Sequence, residues 1–192
     1  DYIFIDEAQD LKPVAIQLLM GLCHNRKNIF LTADVNQSIW GNGFSWTKMA
    51  TDLRLQGRAR ILRRNYRTSK EIWNAVLQLA PDYEGADAET LNVEAVNRGQ
   101  KPVLAWLSTQ RQQKDRLNSY LWEALRSERA TLGSAAVLCP TTREMNQVIE
   151  MLDKRFKAKA MRSQDVDISY PGVKVMTMHA AKGLEFPVVA VV

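Results

Sequence analysis

The chain opens on a short apolar run that ends abruptly in polar residues. Residues 2–5 are aromatic and aliphatic, and the acidic run 6–10 follows directly. An apolar, β-prone run of this kind predicts a strand buried on both faces of a parallel sheet. A helix from Pro13 comes next, and residues 28–32 form a second apolar strand that ends in the polar run 34–37. This strand–helix–strand order predicts a parallel sheet with crossover helices.

The first predicted helix and the segments after it continue this pattern. The apolar positions of the helix predict one inward face, made of Ala15, Leu18, Leu19 and Leu22. Residues 38–48 are an aromatic loop punctuated by glycine. Residues 59–62 predict a third strand, which runs into the polar run 63–67. Thr68 and Glu71 then predict a capping box at the start of another helix.

The second half of the chain repeats the α/β rhythm after a break. Residues 81–100 are polar, acidic and aperiodic, which predicts a linker between two domains. The strands predicted beyond it are residues 102–107, 135–139, 173–178 and 187–192. A helix is predicted over 110–129, with the inward positions Leu117, Tyr120, Leu121, Ala124 and Leu125. Thr141 and Glu144 predict a capping box for a second helix, which carries Met145, Val148, Ile149, Leu152 and Phe156.

Composition narrows the class of protein. With 192 residues, of which 46% are hydrophobic, the chain can build one large domain or two small ones around a real core. Its net charge of +5 suits a polyanionic partner, although a solvated basic surface explains the charge nearly as well. No apolar run approaches the roughly 20 residues of a membrane span, and no signal peptide is visible. Cys23 and Cys139 are expected to be buried thiols of a reducing compartment.

Two carboxylates at the end of the first predicted strand, Asp6 and Glu7, are the first candidates for chemistry. Open α/β sheets bind their ligands at the carboxyl ends of their strands. Asp6 could hold Mg²⁺ directly or through water, and Glu7 could orient or deprotonate an attacking water. Neighbouring acids are equally typical of a strand end followed by a helix cap. The pair alone therefore leaves both interpretations open.

Four polar clusters each follow a predicted strand: residues 6–10, 34–37, 65–67 and 179–185. In this order they resemble the motifs of superfamily 1 helicases of the UvrD/Rep type. Residues 6–10 resemble motif II, residues 37–40 motif III, and residues 62–68 motif IV. Residues 177–186 resemble motif V almost residue for residue. The resemblance spans essentially the whole chain.

The resemblance implies roles around ATP and Mg²⁺. Asp6 would bind Mg²⁺, Glu7 would activate the hydrolytic water, and Gln9 would contact the cofactor. Gln37 would touch the γ-phosphate and report its loss to the nucleic-acid site. Motif III departs from the family pattern at Ala33, where the family usually has glycine.

Three further residues complete the nucleotide contacts that the resemblance implies. Tyr66 would stack on the adenine, Arg67 would reach the γ-phosphate as an arginine finger, and Glu185 would bind the ribose. Arg67 also makes independent sense, since a planar donor fork on a transferring phosphoryl group is worth about 10³–10⁵ in rate. Its alternative is a solvated arginine or one that pairs with Glu71.

The resemblance also implies contacts with single-stranded DNA. Trp40 takes the place of a tyrosine that lies against the strand in the family, and Phe44 or Trp46 would stand in for a nearby stacking tryptophan. Core packing is an equally good interpretation of Trp46. Thr177 and His179 would lie near the DNA backbone, with a core or helix-capping role as the alternative for His179.

Two features of the family are absent from this sequence. No Gly-Lys pair occurs in the chain, so it has no P-loop, and the family's final arginine motif is also missing. Only the short segment 163–172 stands where the family usually has a large insertion. We therefore expect a piece of a compact member of the family, whose partner is a P-loop segment of the same parent chain. Alone, this polypeptide is expected neither to bind ATP tightly nor to hydrolyse it.

The fold expected from the resemblance is α/β, with two partial RecA-like parallel-sheet domains of the P-loop NTPase type. Residues 1–80 would belong to the first domain, residues 81–100 would form the linker, and residues 101–192 would belong to the second. The implied function is an ATP-dependent helicase or translocase, moving 3′ to 5′ on single-stranded or partially duplex DNA in the cytoplasm. The alternatives are a non-catalytic helicase remnant that binds nucleic acid or protein, and the helicase portion of a helicase-nuclease.

Overall fold

The structure, a computed structural model, describes residues 2–25, 28–33, 60, 62–79 and 93–192. In this part of the chain the protein is α/β, with three small parallel sheets of two, two and four strands. The chain divides into two compact units, Asp1–Leu104 and Ala105–Val192. None of the helices described is both long and apolar enough to span a bilayer.

The first sheet of the first unit pairs two short strands in parallel. These are β1 (Ile3–Ile5) and β2 (Ile29–Leu31), in the register Ile3 with Ile29 and Ile5 with Leu31. A 3₁₀ turn, Ala8–Asp10, and helix α1 (Pro13–Leu22) connect the strands. Proline begins α1 because the first helical position needs no backbone donor. This is the strand–helix–strand unit that the hydrophobic pattern predicted.

Only one face of this sheet is covered, which corrects the expectation of burial on both faces. Ile5 and Ile29 pack with Ala8 and Cys23 in a small core. Phe4 points to the other face, where its side chain is 76% exposed and its ring centroid lies 6.0 Å from that of Phe30. Among the described elements, a single helix packs on the two strands, so the second face has no layer over it.

The inward face of α1 also differs from the predicted one. Ile16 is the buried residue of the helix, and Ala15 and Leu19 are half-buried. Leu18 and Leu22, which were predicted to face inward, are exposed. A helix of this length can rotate by one position because it contacts a sheet of only two short strands.

The second sheet lies where a strand and a linker were predicted. Strand β3 (Arg64–Ser69) replaces the strand predicted over 59–62, of which residues 60 and 62 are described and are not in a strand. The polar cluster 65–67 therefore lies inside a strand and does not follow one. Helix α2 (Lys70–Leu79) comes next, and β4 (Glu94–Asn97) pairs in parallel with β3.

Two predictions change with this sheet. The end of the predicted linker 81–100 is not aperiodic, because it contains β4. The predicted capping box of Thr68 and Glu71 is wrong, because Ser69 caps α2 by accepting a hydrogen bond from the Ile72 amide at 3.3 Å. The Glu71 carboxylate instead accepts from the Gly99 amide at 2.8 Å.

The second unit is one four-stranded parallel sheet with two helices. Its strands are β5 (Ala135–Cys139), β6 (Lys159–Met161), β7 (Lys174–Thr177) and β8 (Val188–Val191). They lie in the order β6-β7-β5-β8 across the sheet. The helices are α3 (Gln110–Ser127) and α4 (Thr142–Met151), with short 3₁₀ turns at Leu132–Ser134 and Lys154–Phe156.

Local sequence signals account for most of this unit. Thr141 and Glu144 form the predicted capping box, and Thr109 with Gln112 forms a second one at the start of α3. The predicted inward positions of α3 and α4 pack in one core with the central strands, in the cluster Leu117, Leu121, Leu125, Val137, Met145, Val148, Phe156, Val175 and Val188. Phe156 lies in this core but beyond the end of α4, contrary to the prediction that the helix carries it.

The strand predicted over 102–107 is wrong. The segment has no regular secondary structure and no partner strand among the described residues, and Trp106 is 89% exposed. Pro102 removes a backbone donor at its start, and apolar character alone does not supply a partner strand. The pattern also missed β6, whose three residues are too short to show a period.

A buried lysine fastens the start of β7. Lys174 is fully buried and donates through Nζ to the carbonyl oxygens of Gly133 at 2.7 Å and Tyr170 at 2.8 Å. Nζ also lies 5.9 Å from the ring centroid of Phe186. Burial lowers the pKa of Lys174, because desolvation disfavours the ammonium form. The two carbonyl contacts compensate that cost and tie two loops to the strand.

Both cysteine thiols should resist reagents in the native protein. Cys23 and Cys139 are buried, and burial raises the pKa of Cys139 to about 11. Since the thiolate is the nucleophile, we expect no fast reaction of either residue with a disulfide reagent such as dithionitrobenzoate. Both should react once denaturant unfolds the chain. Fast labelling of Cys139 without denaturant would contradict the burial described here.

Candidate functional site

The parallel pairing of β1 with β2 brings the ends of both strands to one edge. Asp6 and Glu7 follow β1, and Thr32 follows β2. Two backbone hydrogen bonds extend the pairing beyond the strands, from the Thr32 amide to Ile5 and from the Ala8 amide to Thr32, each at 2.9 Å. The residues that leave the two strands are therefore held against one another.

Asp6 is fixed by hydrogen bonds from both strand ends. Its Oδ1 atom accepts from the Glu7 amide at 3.0 Å and from the Thr32 hydroxyl. Thr32 was not singled out from the sequence. The available signal was its place as the last residue of the second predicted strand, directly beside the first strand's carboxylates. The carboxylate remains exposed at the edge of the sheet.

Glu7 has an unusual backbone for a residue with a side chain. Its φ of 52° and ψ of 44° are left-handed, a region that non-glycine residues occupy at a cost of about 1–3 kcal/mol and often at functional sites. The conformation starts the 3₁₀ turn Ala8–Asp10. The Gln9 side chain is fully buried and donates from Nε2 to Glu7 Oε2 at 2.5 Å. Gln9 thus restrains the Glu7 carboxylate from within the fold, and its predicted cofactor contact stays a prediction.

The oxygen atoms at this edge fit Mg²⁺. Asp6, Glu7 and Thr32 offer only hard oxygen ligands, which Mg²⁺ prefers. Within the described ranges, no three His, Cys, Asp or Glu side chains come together as a metal cage. Mg²⁺ at phosphate sites is usually held by one or two carboxylates together with phosphate and water oxygens. The donor set at the end of β1 has that chemistry.

Tyr66 and Arg67 lie on the second sheet, within β3. Both residues are exposed, Tyr66 by 61%. The Asn65 side chain stabilises this part of the strand, because its Oδ1 accepts from the amides of Arg67 at 2.9 Å and Thr68 at 3.1 Å. Hydrogen bonding to Tyr66 raises the pKa of Arg64, so this guanidinium lies beside the phenol.

The motif V residues form a turn directly after β7. Thr177 Oγ1 accepts from the Ala180 amide at 3.2 Å, and the Met178 amide donates to the Cys139 carbonyl at 3.0 Å. His179 and Glu185 are exposed. The exposure of His179 excludes the core role that the sequence left open.

The predicted site residues thus fall into local groups. Asp6, Glu7 and Gln9 follow β1 in the first sheet, where Thr32 binds Asp6 and Gln9 binds Glu7, and Tyr66 and Arg67 lie within β3. The third group consists of Thr177, which ends β7, and of His179 and Glu185, which follow it. Gln37, Trp40 and Phe44 lie outside the described residues, as does Trp46.

Gly183 gives a test of the motif V turn. Its φ is +77°, and an added Cβ would meet no atom within 4 Å. Gly183→Ala should therefore destabilise the second unit by backbone strain alone, about 1–2 kcal/mol, measured by urea unfolding. Gly21→Ala is the matched control: it lies inside α1 in open space, so the same change should stabilise the first unit by about 0.5–1 kcal/mol. Equal effects at both glycines would contradict the left-handed turn.

Comparison with known proteins gives one family match. Residues 1–50 match the model of the UvrD/REP helicase N-terminal domain, the stretch that holds β1, α1, β2 and the Asp6–Glu7 pair. A search of curated proteins found no match for the chain. The matched segment contains the residues on which the resemblance to motifs II and III was drawn. Over its first fifty residues the chain is similar to the UvrD/REP helicase N-terminal domain, and this match supports a fragment of a UvrD/Rep-type superfamily 1 helicase.

Proposed function

We propose that this chain is the part of an ATP-dependent DNA helicase or translocase that couples ATP hydrolysis to movement on single-stranded DNA. In this proposal its two units are partial RecA-like domains. A P-loop segment of the same polypeptide completes the ATP site. The protein acts in the cytoplasm. The direction of movement is 3′ to 5′, and the substrate is single-stranded or partially duplex DNA. The family match over residues 1–50 supports the helicase assignment.

The observation that carries the proposal is the arrangement of two carboxylates at the carboxyl end of β1. An ordinary helix cap needs neither a left-handed glutamate nor a buried glutamine bound to it. Here Glu7 has both, and Asp6 is bound by the hydroxyl that ends the neighbouring strand. Strain held in place by surrounding contacts is a common feature of catalytic sites. The arrangement therefore favours chemistry over capping.

Each residue at this edge has a distinct task in the proposal. Asp6 holds Mg²⁺, which neutralises charge on the phosphates when it is bound. Glu7 accepts a proton from the attacking water, and Gln9 keeps the Glu7 carboxylate in a single orientation. Gln37 contacts the γ-phosphate and signals its loss.

The β3 residues supply the remaining nucleotide contacts. The exposed ring of Tyr66 can stack on adenine, and the exposed guanidinium of Arg67 can donate to the γ-phosphate. Arginine suits this task because it stays charged and presents a planar fork of donors. Glu185, exposed on the motif V turn, binds the ribose.

DNA contacts are assigned to four residues. Thr177 is half-buried at the end of β7 and His179 is exposed on the turn that follows, where short polar side chains and backbone amides can meet phosphates. Trp40 and Phe44 are the proposed stacking residues. Stacking tolerates every base sequence, as a motor requires, and the chain's net charge of +5 suits a polyanion.

The substitution Glu7→Gln tests the catalytic assignment in the full-length protein. The amide keeps the size of the side chain but cannot accept a proton, so single-strand-stimulated ATP turnover should fall about 10²–10⁴-fold. ATP binding, measured by equilibrium titration, should be retained. Glu150→Gln, an identical change at an exposed position of α4, serves as the control and should leave turnover unchanged. Normal turnover in Glu7→Gln would favour the non-catalytic remnant.

The substitution Trp40→Ala tests the DNA assignment. Loss of one stacking contact should weaken single-strand affinity by about 1–3 kcal/mol. The dependence of affinity on salt should stay the same, because the phosphate contacts remain. Trp106→Ala removes another tryptophan, which is exposed in the unpaired segment, and should not change affinity. An unchanged affinity for Trp40→Ala would show that this residue packs in the core.

A further inference from the structure

The strand that carries Tyr66 and Arg67 is not regularly paired. Asn65 pairs with Ala95, and the next aligned pair is Ser69 with Asn97. The chain therefore takes four steps along β3 against two along β4. The register shift lies within residues 66–68, a β-bulge that includes the two residues assigned to the nucleotide, Tyr66 and Arg67. Bulges of this kind often lie beside active sites, where they redirect a side chain.

A bulge leaves backbone N–H and C=O groups without their partners on the neighbouring strand. Here two asparagine side chains form hydrogen bonds with these groups instead. Asn65 lies on the bulged strand, where its side chain accepts from the Arg67 and Thr68 amides and donates to Thr68 Oγ1 at 2.6 Å. Asn97 reaches across from β4 and donates from Nδ2 to the Tyr66 carbonyl oxygen at 2.6 Å. That carbonyl belongs to the peptide that joins Tyr66 to Arg67. Its orientation therefore sets the directions in which both side chains leave the bulge.

The segment that carries Asn97 is itself fastened to the start of α2. The Gly99 amide donates to the Glu71 carboxylate on α2. In addition, Nζ of Lys70 on α2 lies 3.4 Å from Oε1 of Glu94 on β4. Gly99 approaches so closely that an added Cβ would lie 2.9 Å from the Ser69 Cβ. The hydrogen bond from Gly99 also lowers the pKa of Glu71, which keeps the carboxylate charged. Asn97 is thus held from both sides, between β4 and the Gly99 contact.

We propose that Asn97 is a positioning residue for the nucleotide site, holding the Tyr66–Arg67 peptide so that the guanidinium of Arg67 faces the terminal phosphate. The inference rests on the proposed function and adds to it a residue from a segment that the sequence assigned to the linker. Asn97 acts through Arg67 and touches no reacting atom. Its loss removes one of the two restraints on the peptide between Tyr66 and Arg67, because the Arg67 amide still donates to Asn65, and leaves the carbonyl end of that peptide without its partner.

The first test uses the chain alone and does not depend on catalysis. Asn97→Ala and the isosteric Asn97→Asp both remove the donor, so amide hydrogen exchange at residues 66–68 should rise by up to about tenfold. Asn118→Asp is the matched control. Asn118 donates in the same way to the backbone oxygens of Lys114 at 2.6 Å and Met151 at 3.0 Å, but in the second unit. Exchange at residues 66–68 that is equal in the wild type and both Asn97 variants overturns the proposal.

The second test uses ATPase kinetics of the full-length protein. If Asn97 acts through Arg67, Asn97→Ala should lower kcat about tenfold and change KM for ATP by less than about threefold. In an Arg67→Ala background the same change should have no further effect on kcat. Additive losses, or a normal kcat in Asn97→Ala together with a collapsed one in Arg67→Ala, overturn the positioning role and leave the proposed function intact. A full-length protein without ATPase activity, or with a normal kcat in Arg67→Ala, overturns the proposed function and this inference together.

Discussion

The pairing of two three-residue strands places the chemistry of the first unit. β1 and β2 are too short to be stable as an isolated ribbon, so their register depends on the core behind them, where Ile5 and Ile29 meet Cys23. That register puts the Thr32 hydroxyl against the Asp6 carboxylate. A shift of one residue would exchange the two faces of the strand and separate these side chains. The apolar core thus determines where the polar site forms.

The two sheets of the first unit position functional residues in different ways. The first uses strand ends, where the chain leaves the ladder and polar side chains can gather without disturbing it. The second uses an interruption within a strand, where asparagine amides replace backbone partners. The first arrangement gives an edge of carboxylates, and the second exposes a tyrosine and an arginine at successive positions of one strand. A nucleoside triphosphate with its metal needs both kinds of surface.

Sequence reasoning succeeded where the signal was local. The capping box at Thr141 and the buried faces of α3 and α4 follow from side chains a few positions apart, and the structure confirms them. The acidic edge at Asp6 was also visible, because a strand end and two carboxylates adjoin in sequence. The four motif clusters could also be found without a structure, because each is a run of neighbouring residues.

What the sequence missed depends on contacts between distant residues. The sequence of β4 predicts a linker, because this segment forms a strand only by pairing with β3, about thirty residues earlier. The strand predicted over 102–107 fails for the converse reason, since it is apolar but has no partner strand in the described part of the chain. Thr32 and Asn97 act through residues far away in sequence, at Asp6 and Tyr66. No local pattern distinguishes them from other polar residues at strand ends.

The uncovered side of the first sheet has a practical consequence for handling the polypeptide. Phe4 and Phe30 lie side by side in water, and Tyr2 on the same side is also exposed. Contiguous aromatic surface of this kind lowers its free energy by meeting another apolar surface. At high concentration the purified chain should therefore self-associate through these rings. Self-association, and not the stability of either unit, then limits the concentration at which the purified chain can be used.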